Sequence, residues 1–207
     1  NLQYQRYVTE VENLIEQTSE NSRQLIRMIP FLKGMDTALA KQSSDQITHA
    51  FEQHWSLFQL HNGIETIRFY NQSDQLLVGW DNFEEDMQRD ALILEQVHGV
   101  NSQELPASLL FCIESCLQYT IEPLLIDGVR TGAIVIGASL ADVFLGFKQT
   151  FGSDIGLLLK MKAENPDIQQ NDVTFLNWGV RLAALTDREK NLEILNRVAE
   201  MRPKIQD

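Results

Sequence analysis

The amino-acid sequence predicts an α+β fold in which one antiparallel sheet of five or six strands lies against a long N-terminal helix and further C-terminal helices. Residues 1–32 carry an apolar repeat of helical type, and residues 63–165 consist largely of short β-rich segments separated by turns. Helix-forming sequence returns at residue 172. Strands joined by short turns pair antiparallel, and the helices around such a run cover the faces of the sheet.

The first helix is predicted from an apolar repeat whose steps alternate between four and three residues, with a mean of 3.5. That mean is the period of a coiled coil. Pro30 disrupts the helix because it has no amide hydrogen to donate. A helix lying on its own domain and a helix paired with a second copy explain the pattern equally well. The repeat comprises Tyr4, Val8, Val11, Ile15, Thr18, Ser22, Leu25, Ile29 and Leu32.

A second helix is predicted from Ser43, because Ser43 and Gln46 have the spacing of a capping box, and Gly63 is its expected end. The segments 63–70 and 75–80 are rich in β-branched, aromatic and other apolar residues. The Asn-Gln-Ser-Asp sequence between them is typical of a turn. The two segments are therefore predicted to form a hairpin.

A third helix is expected to begin at Asp81 or Asn82, either of which can cap it, and to reach His98 before ending at Gly99. Three strands follow, and an Asp-Gly pair between the last two predicts a tight hairpin. A short helix over 141–151 and a sixth strand complete this region. The strands of this region are predicted over residues 108–113, 117–126, 131–139 and 154–161.

The C-terminal segment is predicted to be helical in two pieces from Asp172. The second piece starts at a capping box formed by Thr186 and Glu189. Pro166 marks the change in composition that precedes this segment. We therefore expect three regions, namely the N-terminal helices in 1–62, a β-rich core in 63–165 and a helical link in 166–207.

Composition and motifs exclude several classes of function. With 17 Lys and Arg against 29 Asp and Glu, the 207-residue chain has a formal net charge of −12, which disfavours binding to nucleic acid or to an anionic membrane. No apolar stretch reaches the ~20 residues that cross a bilayer. Because motifs for phosphate loops, dinucleotide binding, zinc proteases and serine hydrolases are missing from the sequence, we do not expect an enzyme, a metal or a cofactor. A start without Met, within a predicted helix, indicates an excised piece of a larger protein.

Two stretches of the sequence resemble a known family. Residues 121–140 contain a strand with Pro123, a turn at Gly128 and a Gly-led apolar strand that ends in Gly-Ala-Ser-Leu. Residues 175–186 are similar to the helical link into a second module. With the order of the elements, these stretches make the chain resemble the Cache family of PAS-like sensor domains, also called PDC domains, as the first module of a double Cache receptor.

The resemblance implies an extracytoplasmic, ligand-sensing domain of a bacterial transmembrane receptor, periplasmic in location and anchored in the inner membrane through its parent protein. A small solute is expected on one face of the sheet. Its signal is expected to pass through the terminal helices to a histidine kinase, a cyclic-di-GMP synthase or hydrolase, or a chemoreceptor rod. A homodimer through the N-terminal helix fits the coiled-coil period. The alternatives are a cytoplasmic PAS- or GAF-like regulatory module and a dimerisation scaffold without a ligand.

Strand alternation is the only guide to the ligand site. Arg68 suits an anionic group, because a guanidinium binds a carboxylate through two parallel hydrogen bonds, and Tyr70, Trp80 or Tyr119 can form the walls. The Arg and aromatic pattern of amino-acid-binding double Cache sensors is not recognisable here. Alternatively, these are solvent-facing residues of a half-exposed sheet. The full set of candidates is Arg68, Tyr70, Trp80, Gln118, Tyr119 and Thr120.

Cys112 and Cys116 lie at the expected reversal between the third and fourth strands. In the oxidising periplasm that the resemblance implies, they can form a disulfide if their Cα atoms lie within about 7 Å of each other. In a reduced protein they would be free thiols. A zinc site is less favoured, because no second Cys or His pair has a matching spacing.

Overall fold

The computed structural model describes residues 2–83, 86–112, 115–161 and 173–201. Short 3-10 helices cover Ile29–Phe31 and Leu176–Trp178. The α-helices are α1 Leu2–Met28, α2 Met35–Ala40, α3 Ser44–Asn62, α4 Met87–Gln103, α5 Ala141–Phe151 and α6 Arg188–Met201. The strands are β1 Ile64–Asn71, β2 Leu76–Asp81, β3 Ala107–Cys112, β4 Cys116–Ile126, β5 Val129–Ser139, β6 Gly156–Lys160, β7 Thr174–Phe175 and β8 Val180–Leu185.

The predicted antiparallel sheet is confirmed as a five-stranded sheet with the order β2-β1-β5-β4-β3. A separate three-stranded sheet has the order β6-β8-β7. The chain divides into two compact units, the first formed by residues 1–111 and 117–140 and the second by residues 112–116 and 141–207. None of the described helices combines the length and the apolar character that a bilayer crossing requires.

Helix α1 confirms the predicted N-terminal helix, but its buried side differs from the predicted apolar stripe. Ile26 and Ile29 enter the core, as the repeat predicts for Ile29. Ser19 and Ser22 are buried as well, whereas Val8 is exposed. Val11 and Ile15 are only partly buried, so this part of the apolar repeat stays partly accessible.

Local signals at the ends of helices and hairpins are confirmed. The Ser43 hydroxyl accepts a hydrogen bond from the Gln46 amide at 3.5 Å, and Gly63 closes α3 in the left-handed conformation, with φ of 61°. Asp127 and Gly128, with φ of 52° and 77°, form the tight turn between β4 and β5.

Helix α4 begins later and ends later than predicted. Asp86, not Asp81 or Asn82, is its N-cap, and the Asp86 carboxylate accepts a hydrogen bond from the Arg89 amide at 2.7 Å. The helix continues through Gly99 to Gln103, because the left-handed residue that ends it is Glu104. All three acidic or amide side chains are competent caps, so the sequence alone does not distinguish them.

Helices cover both faces of the five-stranded sheet. Ile67 and Phe69 of β1 pack with residues of α1, α2 and α3 on one face, here called the α1 face. Tyr70 of β1 and Tyr119 of β4 pack with Ile93 and other residues of α4 on the opposite face, here called the α4 face. Because side chains alternate along a strand, each strand sends residues to both faces.

In the second unit the structure differs from two of the predictions. The sixth predicted strand, β6, exists but belongs to the separate sheet, where it pairs antiparallel with β8. Most of the segment 173–185, predicted to be helical, consists instead of β7 and β8, followed by α6. The apolar run in β8 is short, and a short apolar run fits a strand and a buried helix equally well. The predicted helix start at Asp172 lies outside the described residues.

The predicted helix start at Thr186 is close to the observed start of α6 at Arg188. The Thr186 hydroxyl takes part in a contact with β6 rather than in the expected capping box, because it accepts from the Ile155 amide at 2.9 Å and lies 3.1 Å from Asp154. This contact fixes the start of α6 beside the strand β6.

We predict opposite stability changes for two Gly→Ala substitutions in the first unit. At Gly132, with φ of 151°, an added Cβ would lie 1.9 Å from the carbonyl oxygen of Tyr70. Gly132→Ala should therefore lower the free energy of unfolding by about 3 kcal/mol or more. Gly99 lies in α4 with open space around its Cα, so Gly99→Ala should raise it by about 0.5–1 kcal/mol. Urea denaturation measures both, and a Gly132→Ala protein as stable as the wild type would contradict the β1–β5 register.

Candidate ligand-binding site

The α4 face brings together four charged side chains, here called the ionic cluster: Arg68, Asp81, Arg89 and Asp90. The Arg68 guanidinium contacts the Asp81 carboxylate at 2.5 Å and the Asp90 carboxylate at 2.8 Å. Arg89 lies 3.9 Å from Asp81 and 3.2 Å from Asp90. The two arginines are buried, with exposed fractions of 8% and 4%. The two buried arginines therefore face two carboxylates that are only partly covered, with side-chain exposures of 21% for Asp81 and 37% for Asp90.

Local structure accounts for how the cluster forms. In the β1–β2 register, Arg68 lies opposite Gly79 and Thr66 lies opposite Asp81. The Thr66 hydroxyl donates a hydrogen bond to the Asp81 carboxylate. Arg89 and Asp90 are in the first turn of α4, which the Asp86 cap fixes. Strand pairing and helix capping thus place groups from three elements at one point.

Two buried tyrosines adjoin the ionic cluster on the α4 face. Burial alone would lower the pKa of Arg68, but hydrogen bonds to Asp81 and to Tyr70 hold this pKa above its usual value. Burial raises the pKa of Tyr70, while Arg68 opposes that shift. Burial also raises the pKa of Tyr119 to about 12, and the charges of all four members of the cluster act on its hydroxyl. Both tyrosines are neutral hydrogen-bonding groups at physiological pH.

The Tyr119 hydroxyl is the group of this site that lacks a hydrogen-bond partner. Tyr119 is fully buried, and its oxygen has no hydrogen-bond partner among the residues that the structure describes. A buried hydroxyl without a partner costs about 1–3 kcal/mol. Next to it, a side chain at Gly137 would place a Cβ 2.8 Å from the Tyr119 ring, so glycine keeps the ring in place. A bound polar group would gain a hydrogen-bond partner here.

The sequence-predicted candidates divide between the two faces of the sheet. Arg68, Tyr70 and Tyr119 lie together on the α4 face. Trp80 lies opposite Ile67 and packs against Phe51 at 4.9 Å between ring centroids, on the α1 face.

Gln118 and Thr120 also lie on the α1 face, because they alternate with Tyr119 along β4. Gln118 donates a hydrogen bond to the Ser19 hydroxyl of α1 at 3.2 Å. The six predicted residues therefore do not lie together on one face of the sheet. Strand alternation gives the relative sides within a strand, but the register decides which sides of two strands coincide.

Three members of the cluster are not among the sequence-predicted candidates. Asp81 is a plausible helix cap by sequence, and Arg89 and Asp90 lie in a helix without any motif. The hairpin register could have indicated Asp81. Gly79 lies opposite Arg68, and Asp81, two residues further along β2, lies on the same side of the sheet.

The structure joins Cys112 and Cys116 in a disulfide with a Cα–Cα distance of 4.1 Å, which is short enough for the predicted bridge. Arg181 of β8 donates a hydrogen bond to the Cys112 carbonyl oxygen. Within residues 2–83, 86–112, 115–161 and 173–201, no group of three His, Cys, Asp or Glu side chains is placed to hold a metal ion.

A five-stranded antiparallel sheet with a long N-terminal helix is the fold of PAS-like sensor domains of the Cache type. The chain belongs to the dCache_3 family, described as the double sensory domain of two-component sensor kinases, whose sequence model matches residues 2–206. The predicted resemblance is thereby confirmed. No match was found among curated proteins.

Solved structures of sensor domains are similar to this chain at low sequence identity. The extracellular domain of a protein described as the histidine kinase vpHK1S-Z8 is 10% identical, with a TM-score of 0.51 over 76% of this chain and 66% of that one. The periplasmic domain of Vibrio cholerae LuxQ is 14% identical, with a TM-score of 0.49 over 80% and 82%. The ligand-binding domain of the amino-acid chemoreceptor PctC of Pseudomonas aeruginosa PAO1, in complex with GABA, is 10% identical, with a TM-score of 0.49 over 75% and 71%.

We predict that Tyr119→Phe and Tyr70→Phe change stability in opposite directions. Removing the Tyr119 hydroxyl relieves an unpartnered buried group and should raise the free energy of unfolding by about 1 kcal/mol. Removing the Tyr70 hydroxyl takes a hydrogen bond from the charged Arg68 and should lower it by about 1.5–3 kcal/mol. Urea denaturation compares the two. Equal destabilisation by both substitutions would mean that the Tyr119 hydroxyl is already satisfied.

Proposed function

We propose that this chain is the extracytoplasmic input domain of a bacterial transmembrane receptor and that it binds a small solute at the ionic cluster of the α4 face. Membership in a family of sensory domains of two-component kinases supports the signalling role. The Cys112–Cys116 disulfide supports an oxidising compartment, because cytosolic thiols are kept reduced. A parent gene that encodes no membrane-spanning segment would favour a cytoplasmic regulatory module instead.

The observation that carries the binding proposal is a pair of buried arginines beside an unpartnered, buried hydroxyl. Buried ion pairs contribute little net stability, because the cost of desolvating the charges offsets their attraction. A packed apolar face would serve a purely structural role as well. The chain nevertheless keeps two arginines, two aspartates and the Tyr119 hydroxyl together there. Polar groups that converge in an apolar surrounding are the usual form of a small-molecule site.

The charges of the cluster indicate the class of ligand. An anionic group can take the place of Asp81 or Asp90 on the Arg68 guanidinium, where a carboxylate fits with two hydrogen bonds. The displaced aspartate, which is partly exposed, would then face the solute and can pair with a cationic group on it. We therefore propose that the ligand is a small solute with a carboxylate and an amino group. A dicarboxylate without an amino group is the second candidate. The Tyr119 hydroxyl supplies the remaining hydrogen bond.

We further propose that residues 141–207 belong to the beginning of a second sensory module, and that they have more than the linking role expected for 166–207. The family description names a double sensory domain and its match extends to residue 206. The second unit has its own small core, in which Phe175, Val180 and Leu182 pack with Ala199.

Ligand binding at the cluster predicts a thermal shift that Arg68 controls. In a screen of amino acids, amines and organic acids, a ligand at a hundred times its Kd should stabilise the wild-type chain by about 2.7 kcal/mol. Arg68→Gln should abolish the shift, because it removes the guanidinium that binds the anionic group of the solute. Arg197→Gln is the matched control, since Arg197 pairs with Glu193 on the exposed side of α6 and should leave the shift unchanged.

The shift upon ligand addition, and not the starting melting temperature, is compared, so a general loss of stability in Arg68→Gln does not obscure the result. A ligand that still stabilises Arg68→Gln as much as the wild type would contradict the site. If no solute shifts the wild type, the scaffold alternative gains support.

The accessible apolar repeat of α1 supports a homodimer through this helix. Val8 is exposed, and Val11 and Ile15 are only half-buried, although their spacing is that of a coiled coil. We predict that Val11→Asp weakens self-association at least tenfold in sedimentation velocity, because it places a charge in the proposed seam. Asn13→Asp adds the same charge at an exposed position beside the stripe and should have little effect. A wild-type chain that remains monomeric at millimolar concentration would contradict the dimer.

A further inference from the structure

The contact between α1 and the sheet changes character along the helix. Ile26, near the C-terminal end of α1, and Ile29, in the 3-10 helix that follows, are buried in an apolar core. One to two turns earlier, Ser19 and Ser22 are buried instead, with exposed fractions of 2% and 1%. Helices usually pack on sheets through large apolar side chains, so this part of α1 rests on a polar surface.

That polar surface is formed by three successive inward positions of β4. Gln118, Thr120 and Glu122 lie on the α1 face and are all buried. Gln118 is hydrogen-bonded to Ser19 at 3.2 Å, whereas the Thr120 hydroxyl lacks a partner among the described residues. Glu122 is the charged member of this row, with an exposed fraction of 7%.

Glu122 shares the arginines of α1 with other carboxylates. Its side chain lies 3.2 Å from Arg23 and 4.0 Å from Arg27. Arg23 also contacts Glu16 at 3.4 Å and Glu20 at 3.5 Å, and Arg27 lies 4.0 Å from Glu20. Three carboxylates therefore compete for two guanidiniums, and the buried carboxylate has only a share of each.

The neighbours of Glu122 within the sheet carry no charge. Its cross-strand partner on β5 is Ile134, and the residues on the same side of β4 are Thr120 and Leu124. Among the described residues, the charged groups that act on Glu122 are thus the two arginines and Glu20, all from α1. When α1 lies on the sheet, it removes water from the Glu122 carboxylate. The arginines of α1 make up only part of the stabilisation that this water gave the charge.

Burial raises the pKa of Glu122, and the opposing effects of Arg27 and Arg23 do not cancel this shift. Release of α1 would hydrate the carboxylate and return its pKa towards the ordinary value. The docked state therefore binds the proton more strongly than the released state. By linkage, this contribution to docking is fully present below the ordinary pKa of glutamate and is lost as the pH rises through the raised value.

We propose that the charge on Glu122 controls how firmly α1 is held against the sheet, with the neutral carboxyl holding the helix more firmly than the carboxylate. This role is independent of the proposed ligand site, which would lie on the opposite face of the sheet. It also assigns a function to Gln118 and Thr120, as part of the polar row that receives α1 rather than as ligand contacts.

Hydrogen exchange of the 207-residue chain tests the proposal. Protection of the α1 amides of residues 19–26, corrected for the intrinsic exchange rate, should fall in the wild type as the pH rises from about 4 to about 8. The total decrease in protection should be several-fold. It should equal the acid dissociation constant of Glu122 in the released state divided by that in the docked state. In Glu122→Gln, protection should be independent of pH and should exceed that of the wild type at neutral pH.

Two further variants make the result specific. Glu12→Gln removes an exposed carboxylate from the same helix and should keep the pH dependence of the wild type. Arg27→Gln removes one attraction and should lower α1 protection at neutral pH in the wild-type background but not in Glu122→Gln. The proposal is overturned if Glu122→Gln matches the wild type at every pH, or if Glu12→Gln changes the profile to the same extent.

Discussion

The contact between the buried Arg68 guanidinium and the Asp81 carboxylate is the interaction on which the α4 face depends. Without Asp81 the buried guanidinium would lose one of its carboxylate partners, so the two side chains help to hold β2 in register beside β1. Gly79 leaves room for Arg68, because a Cβ there would lie 3.1 Å from the Arg68 side chain. Asp90 supplies a second carboxylate to Arg68 and ties the first turn of α4 to the same point.

The two faces of the sheet divide the work of the domain. The α1 face holds the aromatic cluster of Phe51, Phe69 and Trp80, which stabilises the fold through contacts that need no polar partner. The α4 face keeps two arginines and the Tyr119 hydroxyl buried, and the polar row of β4 lies buried beneath α1 on the other face. Alternation along β1 and β4 is what lets two such different environments share the same strands.

The sequence predicted what is decided locally and not what is decided by register. The Ser43 cap and the Asp127-Gly128 turn depend on a few adjacent residues, and both were predicted at the correct positions. The α4 start was misplaced because several competent caps stand close together, and β8 was misassigned because its apolar run is short. Only part of the predicted residue set lies together on the α4 face, since the relative phase of β2 and β4 against β1 is set by pairings that no single strand encodes.

The order of the strands places some residues of the proposed site on inner strands and others at the edge of the sheet. Arg68 and Tyr119 stand on strands that are paired on both sides, whereas Asp81 stands on the edge strand β2 and Asp90 at a helix terminus. Replacement of an acidic residue therefore alters the charge offered to a solute without unpairing an inner strand. Related chains can therefore differ in ligand preference through changes at Asp81 and Asp90 while they keep the same inner strands.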